Sequence, residues 1–216
     1  MTDPARESST VDFVRPPRPV AARLVSGRGH YETVIAAVRG ARTSIWIATA
    51  NLKELMVEDD RWSSKKKRDA YRSVIGVLAD LVAKGVEIRL LHAAPPSQPF
   101  REELGRHAEL LGGFRKKSSS PLAKGTFTMR DCPRVHLKVV IVDGAFLYLG
   151  SANWTGAGLG AKGAGRRNFE LGIVTDDTLV LDDVQDLFDR IWRGAQCKEC
   201  RLRAQCPGPL DRAAKE

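Results

Sequence analysis

The sequence predicts an α/β fold, a sandwich in which helices cover a mixed β-sheet. Three observations carry this. Short β-branched runs alternate along the chain with stretches of helical periodicity, the β–α–β pattern of a layered domain. Two of the runs flank an Asp-Gly dipeptide, a hairpin signal that adds an antiparallel part to the sheet. The length, 216 residues, suits one large domain, or one domain with an appendage, with a sizeable core.

The elements follow in order. Residues 1–19 are polar and Pro/Arg-rich, lack the apolar core of a signal peptide, and are expected to form a disordered basic arm. The main domain is expected over residues 20–193. Tyr31 to Val38 has helical spacing and stops at Gly40, and Thr43 to Ala50 alternates as a strand. A long amphipathic helix is expected from about Lys65 to Lys84, with Ser63 or Ser64 as N-cap. Its apolar side is Tyr71, Val74, Ile75, Val77, Leu78, Leu81 and Val82, and Gly85 ends it. Val86 to Leu91 is the next strand and Arg101 to Leu111 another helix. Lys116 to Lys124 reads as a flexible loop. Val139 to Val142 and Phe146 to Leu149 make the hairpin, Gly156 to Gly165 reads as a Gly/Ala-rich connector, and Leu171 to Val174 is a strand. Asp177 to Trp192 closes the domain as a helix, and residues 194–216 form a Cys-rich tail.

Charge limits the partners. Thirty-five Lys and Arg against 26 Asp and Glu leave +9, with the cations in runs at Lys65-Lys66-Lys67-Arg68, Arg115-Lys116-Lys117 and Arg166-Arg167. Such runs attract polyanions; nucleic acid fits best, and an anionic lipid surface would exert the same pull. With three Tyr and seven Phe, aromatic platforms for base stacking are not advertised. No apolar run has the length of a membrane span, so stable membrane insertion is not expected and a cytoplasmic address follows by default.

The most informative stretch is His136-Leu137-Lys138, four residues, Asp143, six residues, then Gly150-Ser151-Ala152-Asn153. If Gly144-Ala145 form a two-residue loop, Asp143 pairs with Phe146, Lys138 falls opposite Ser151 and His136 opposite Asn153. Side chains alternate along a strand, so these four would share one face. An imidazole, an ammonium, a hydroxyl and a carboxamide on one face suit phosphoryl chemistry.

This segment resembles the HKD signature of the phospholipase D superfamily, with every signature position present. Arg166-Arg167-Asn168-Phe169-Glu170, ahead of an apolar strand, resembles that family's trailing acidic position. The resemblance implies a phospholipase D-like α-β-α sandwich around a mixed β-sheet, and it spans roughly residues 20–193. The chain carries a single HKD motif, because His30, His92 and His107 lack the spacing. Similarity to the single-motif branch implies a homodimer with the active site on its two-fold axis.

The resemblance further implies two-step displacement at a phosphodiester. His136 of one subunit would attack phosphorus and form a phosphohistidine, while the partner subunit's His136 protonates the leaving oxygen. Lys138 and Asn153 would bind the non-bridging oxygens, Ser151 would add a hydrogen bond, and Glu170 would orient the imidazole. Asp143, of opposite strand parity to His136, takes a structural or supporting role. On this reading catalysis needs no cofactor. The expected activity is that of a metal-independent nuclease acting on DNA or RNA, an endonuclease by preference. The alternatives are a phospholipase D or phosphatidyltransferase acting on lipid, and a catalytically silent nucleic-acid-binding dimer.

Cys197-x2-Cys200-x5-Cys206, with Cys132 four residues before His136, is the second non-random feature. Buried thiols or disulfides are the plain alternatives, but three cysteines in ten residues beside Lys and Arg do not look like core packing. A structural metal centre held by Cys132, Cys197, Cys200 and Cys206 is expected, either a [4Fe–4S] cluster or Zn²⁺. The spacing resembles the iron–sulfur staple of some recombination helicase–nucleases, which favours the cluster.

Overall fold

The computed structural model describes residues 11–59, 70–93, 95–107, 125–206 and 208–212. The strands are β1 (Arg23–Ser26), β2 (Ser44–Thr49), β3 (Met56–Glu58), β4 (Tyr71–Ser73), β5 (Glu87–His92), β6 (Thr126–Asp131), β7 (Val139–Val142), β8 (Phe146–Gly150) and β9 (Leu171–Thr175). The helices are α1 (Arg28–Arg39), α2 (Val74–Ala83), α3 (Gln98–Arg106) and α4 (Thr178–Trp192). Seven strands form one mixed sheet in the order β1-β9-β8-β7-β2-β5-β6, parallel from β2 to β6 and antiparallel elsewhere, while β3 and β4 pair apart.

Alternation along the strands divides the interior into two layers. Ile45, Ile47, Ile88, Leu90, Val140, Val142 and Tyr148 face α1, α2 and α3 on one side of the sheet. Ala48, Leu91, Val139, Ile141 and Leu147 face the other side, covered by Leu181, Phe188 and Trp192 of α4. Arg89 of β5 lies between the rings of Trp46 and Trp192 and pairs with Asp189, which fastens α4 to the sheet.

Several sequence expectations shift. The helix expected from Lys65 starts, within the described residues, only at Val74. Its N-cap is Ser73, whose hydroxyl accepts from Ile75 N, and Tyr71 is an exposed strand residue. The backbone of Tyr71 to Ser73 is engaged with β3 and cannot join the helix. Residues 63–68 lie outside the described residues, as do 108–124, where the end of the Arg101–Leu111 helix and the Lys116–Lys124 loop were expected. That helix begins earlier, capped by Ser97.

The expected disordered arm is tied down over residues 11–19, which carry no helix or strand. Arg15 pairs with Asp183 at 2.6 Å, and Arg18 pairs with Asp177, the N-cap of α4. The Gly156–Gly165 connector is packed over its first half and exposed from Lys162 on. Leu159 is buried, and Gly160, at φ 76°, lies so close to Gly27 that an added Cβ would sit 2.2 Å from its carbonyl oxygen. Among the described residues no helix is long and apolar enough to cross a membrane.

Candidate active site

The hairpin that carries the motif turns at Asp143-Gly144, both in the left-handed region (φ 54° and 62°), and Ala145 N donates to Val142 O at 3.0 Å. The two-residue loop is therefore Asp143-Gly144, not Gly144-Ala145. Ala145 is an extra residue, Val142 pairs with Phe146, and the ladder slips by one from the expected register. Lys138 consequently lies beside Gly150, whose N–H reaches Lys138 O at 3.2 Å, and not opposite Ser151.

Asp143 holds its unusual φ because its carboxylate is fully engaged. Oδ1 accepts from Thr43 N, Thr43 Oγ1 and Ser44 N at 2.8, 2.8 and 2.9 Å, and Oδ2 from Arg42 N at 2.9 Å. Burial pushes this carboxyl up. The amides of Ser44, Thr43 and Arg42 and the Thr43 hydroxyl together outweigh burial, and the net shift is below the usual carboxylate range. Asp143 joins the turn of β7–β8 to the start of β2, at the end of the sheet away from His136.

At the other end, the residues leading into β7 carry the candidate nucleophile. His136 is exposed, whereas Lys138 is buried. Lys138 Nζ lies 2.8 Å from His136 O, 2.9 Å from Nδ1 and 3.2 Å from Nε2. Burial lowers the Lys138 pKa and the Glu170 carboxylate partly opposes it. A desolvated ammonium beside an exposed imidazole gains by receiving an anion.

Asn153 follows the end of β8, at the same end of the sheet. Its Oδ1 accepts from Asn51 N at 3.0 Å and lies 3.3 Å from Thr49 Oγ1, whose single proton is shared with the closer Asn51 O at 2.9 Å. A backbone amide can only donate, so Asn51 fixes the orientation of the carboxamide and directs Nδ2 away as a donor. Thr49 also accepts from Trp154 N at 3.0 Å. Thr49 and Asn51 were missed by sequence reasoning. The available signal was polar residues just beyond the end of an apolar strand, where ligands of open α/β sheets bind.

Ser151 and Glu170 form a separate pair. Ser151 Oγ lies 2.5 Å from Glu170 Oε2 and accepts from Leu171 N at 3.0 Å, and Asn168 Nδ2 donates to Glu170 Oε1 at 3.0 Å. Within this chain the Glu170 carboxylate is engaged by Ser151 and Asn168, and the Gly150–Gly172 pairing of β8 and β9 brings Ser151 to the start of β9. Beneath them Gly150 and Gly172 pair across β8 and β9, and the Tyr148 ring fills the space that two Cβ atoms would occupy. Burial pushes the Tyr148 hydroxyl up to about 12.

The four cysteines are not in disulfides and are all partly buried. Together they line one small cavity of about 20 Å³ between the end of β6 and the C-terminal tail. Burial pushes the Cys132 thiol up, with Cys197, Cys206 and Cys200 adding to the shift. Among the described residues, no three His, Cys, Asp or Glu side chains form a group that could hold a metal ion as they stand.

The fold and this site can be set beside known proteins. The structure is similar to NucT from Helicobacter pylori, with a TM-score of 0.51 and 15% identity over 80% of this chain and 95% of that one. It is equally similar to Nuc from Salmonella typhimurium, a phospholipase D family member, with a TM-score of 0.52, 15% identity and the same coverage. At these identities the likeness is one of fold. No curated protein matches the sequence. A family model described as "Cardiolipin synthase, PLD-like domain" matches residues 34–192, from the middle of α1 to the last residue of α4. With the HKD spacing at one end of the sheet and that match over most of its length, the chain belongs to the phospholipase D superfamily.

Proposed function

We propose that the protein is a phosphodiesterase that cleaves nucleic acid through a phosphohistidine on His136, with the site completed by a second copy of the chain. Membership of the superfamily supports a phosphodiesterase or phosphotransferase. The observation that carries the reading is the buried Lys138 ammonium beside the exposed His136 imidazole, with the Asn153 carboxamide aimed by Asn51. These groups supply a nucleophile and two donors for the non-bridging oxygens of a phosphodiester.

His136 attacks phosphorus in line with the leaving oxygen, and a proton from the second subunit's His136 goes to that oxygen as the bond breaks. Water then attacks the phosphohistidine, giving its proton to the second imidazole, and His136 is restored. Lys138 and Asn153 Nδ2 hold the oxygens that gain charge. Ser151 and Glu170 position the rim of the site, and Asp143 is a positioning residue acting through β2.

A dimer is favoured by the surface beside the site. Phe169, Leu171 and Leu24 are exposed next to Glu170 and Ser151, an apolar patch suited to a two-fold contact. Nucleic acid is favoured by the net charge of +9 and by exposed Arg134, Lys162 and Arg166 on segments adjoining the site. One observation favours the lipid alternative, an apolar pocket of about 380 Å³ bordered by His136, Val135, Leu137, Leu187 and Ile191.

The test is cleavage by purified protein, in EDTA, of labelled single- and double-stranded DNA, RNA and phosphatidylcholine vesicles, with His136→Ala in parallel. Nucleic-acid cleavage abolished by His136→Ala, with trapped phosphohistidine in the parent and a dimer by light scattering, is the expected result. Turnover of vesicles alone would move the assignment to lipid. Binding of nucleic acid without turnover, unchanged in His136→Ala, would make the protein a binding dimer.

A further inference from the structure

The cysteine cavity has no part in the chemistry above, yet it lies one turn of chain from the nucleophile. Cys132 directly follows β6, its N–H donating to His92 O at 2.8 Å. Val135 N then closes a turn onto Cys132 O at 2.9 Å, and His136 follows. Cys197, Cys200 and Cys206 come from the tail, which folds back in successive tight turns (Cys197 N to Gly194 O, Cys200 N to Cys197 O, Arg203 N to Cys200 O, Cys206 N to Arg203 O). The tail is brought to β6 independently of the thiols. Arg130 of β6 donates to Trp192 O and to Leu210 O, and Leu210 is buried in the layer that also holds Val135.

Cys132 and Cys197 pack against the apolar layer under α4, but packing does not explain why Cys200 and Cys206 join them around one cavity. Free cysteine in a core behaves as a small buried hydrophobe, whereas these are half-open and border one cavity. Left unligated in such an arrangement they would be open to oxidation and exchange. The remaining wall is apolar (Pro133, Leu202, Pro209, Leu210) and carries Arg134 and Arg203. Four thiolates around either Zn²⁺ or a [4Fe–4S] core leave a net charge of about −2, which two guanidinium groups offset, although Arg203 also pairs with Asp211.

We propose that Cys132, Cys197, Cys200 and Cys206 jointly hold a tetrathiolate metal centre that fixes the C-terminal tail to the segment carrying His136. Each thiol loses its proton as its sulfur–metal bond forms, so loading releases protons to solvent and draws the four sulfurs inward. The cavity as it stands has the size of a single ion, and a four-iron cluster would require the tail to move outward. Tetrathiolate ligation is common to both.

The test is metal and acid-labile sulfide analysis of the untagged full-length protein, purified with and without exclusion of oxygen, together with Co²⁺ titration of the metal-free protein. Expected is about one zinc per chain, or about four iron with matching sulfide. Co²⁺ should give the intense thiolate charge-transfer spectrum of a tetrahedral site. Zinc without sulfide assigns the single ion, and iron with sulfide assigns the cluster. Cys132→Ser and Cys206→Ser should each lose most of the metal, and the stripped protein should be cut by trypsin at Lys198, Arg201 or Arg203 while the loaded protein resists. Wild-type protein that contains no metal and leaves the Co²⁺ spectrum unchanged from that of the aqueous ion would overturn the proposal. So would Cys132→Ser protein that holds as much metal as wild type.

Discussion

Replacing Asp143 separates a residue of the fold from a residue of the chemistry. Asp143→Ala removes the acceptor of four hydrogen bonds and leaves three backbone amides of residues 42–44 without their partner. A hydrogen bond to a charged group contributes about 1.5–3 kcal/mol, but the clamp is partly open to water, which can re-solvate the amides. About 1 kcal/mol for each of the three amides, or about 3 kcal/mol in all, is then the reasonable cost. Asp143→Asn keeps the three bonds at Oδ1 and loses only the bond from Arg42 N, so about 1 kcal/mol is expected. For a chain of this size the two variants should melt about 6–12 °C and about 2–4 °C below wild type.

The pH dependence has a defined sign. The folded-state pKa of Asp143 is depressed, so its stabilisation is fully present above the unfolded value, about 3.9, and is lost as pH falls through the folded one. Thermal melts followed by circular dichroism should show the gap between wild type and Asp143→Asn at neutral pH and its closure in acid. Activity of the folded fraction should keep its KM. Asp143→Ala melting no lower than Asp143→Asn, or a gap that persists unchanged in acid, would refute the clamp.

Two further outcomes follow from the Gly150–Gly172 pair. Gly172→Ala would set a Cβ 2.6 Å from the Tyr148 ring and 2.9 Å from Leu149 O, and an overpacked site of this kind should cost at least about 1–3 kcal/mol in chemical denaturation. The Tyr148 hydroxyl is raised to about 12 from an unfolded value near 10, so its contribution is complete below pH 10 and is lost as pH rises toward 12. Alkaline denaturation curves should show that loss, and Tyr148→Phe should flatten it; an identical curve for the variant would exclude Tyr148 as its source.

The legible parts of this protein are those in which local chemistry decides the structure. The β7–β8 hairpin, α1 and α4 were readable because β-branched runs, an Asp-Gly turn and a capping Asp177 act over a few residues. The register was not, because nothing local marks Ala145 as the extra residue rather than part of the loop. β6 is not legible: its sequence, Thr126 to Asp131, is mostly polar, and its place at the sheet edge depends on parallel pairing with β5 across a long connection. Ser73 is not legible as a cap, because the residues before it look helical and only their pairing with β3 excludes them. Thr49 and Asn51 belong to the site only through contacts about 100 residues away in sequence.

The direction of the strands has a consequence for how such a domain can change. β2, β5, β6 and β8 finish, and β7 and β9 begin, at one rim of the sheet, so His136, Asn153, Asn51, Glu170 and Cys132 all sit in the loops of that rim. The Asp143 clamp fastens the opposite rim. Loops on the reactive side can lengthen, shorten or gain charge without disturbing the anchoring on the other. The mouth of the scaffold can thereby vary while its frame is kept, and the far rim is the place to attach a label or a second module at a distance from His136 and Asn153.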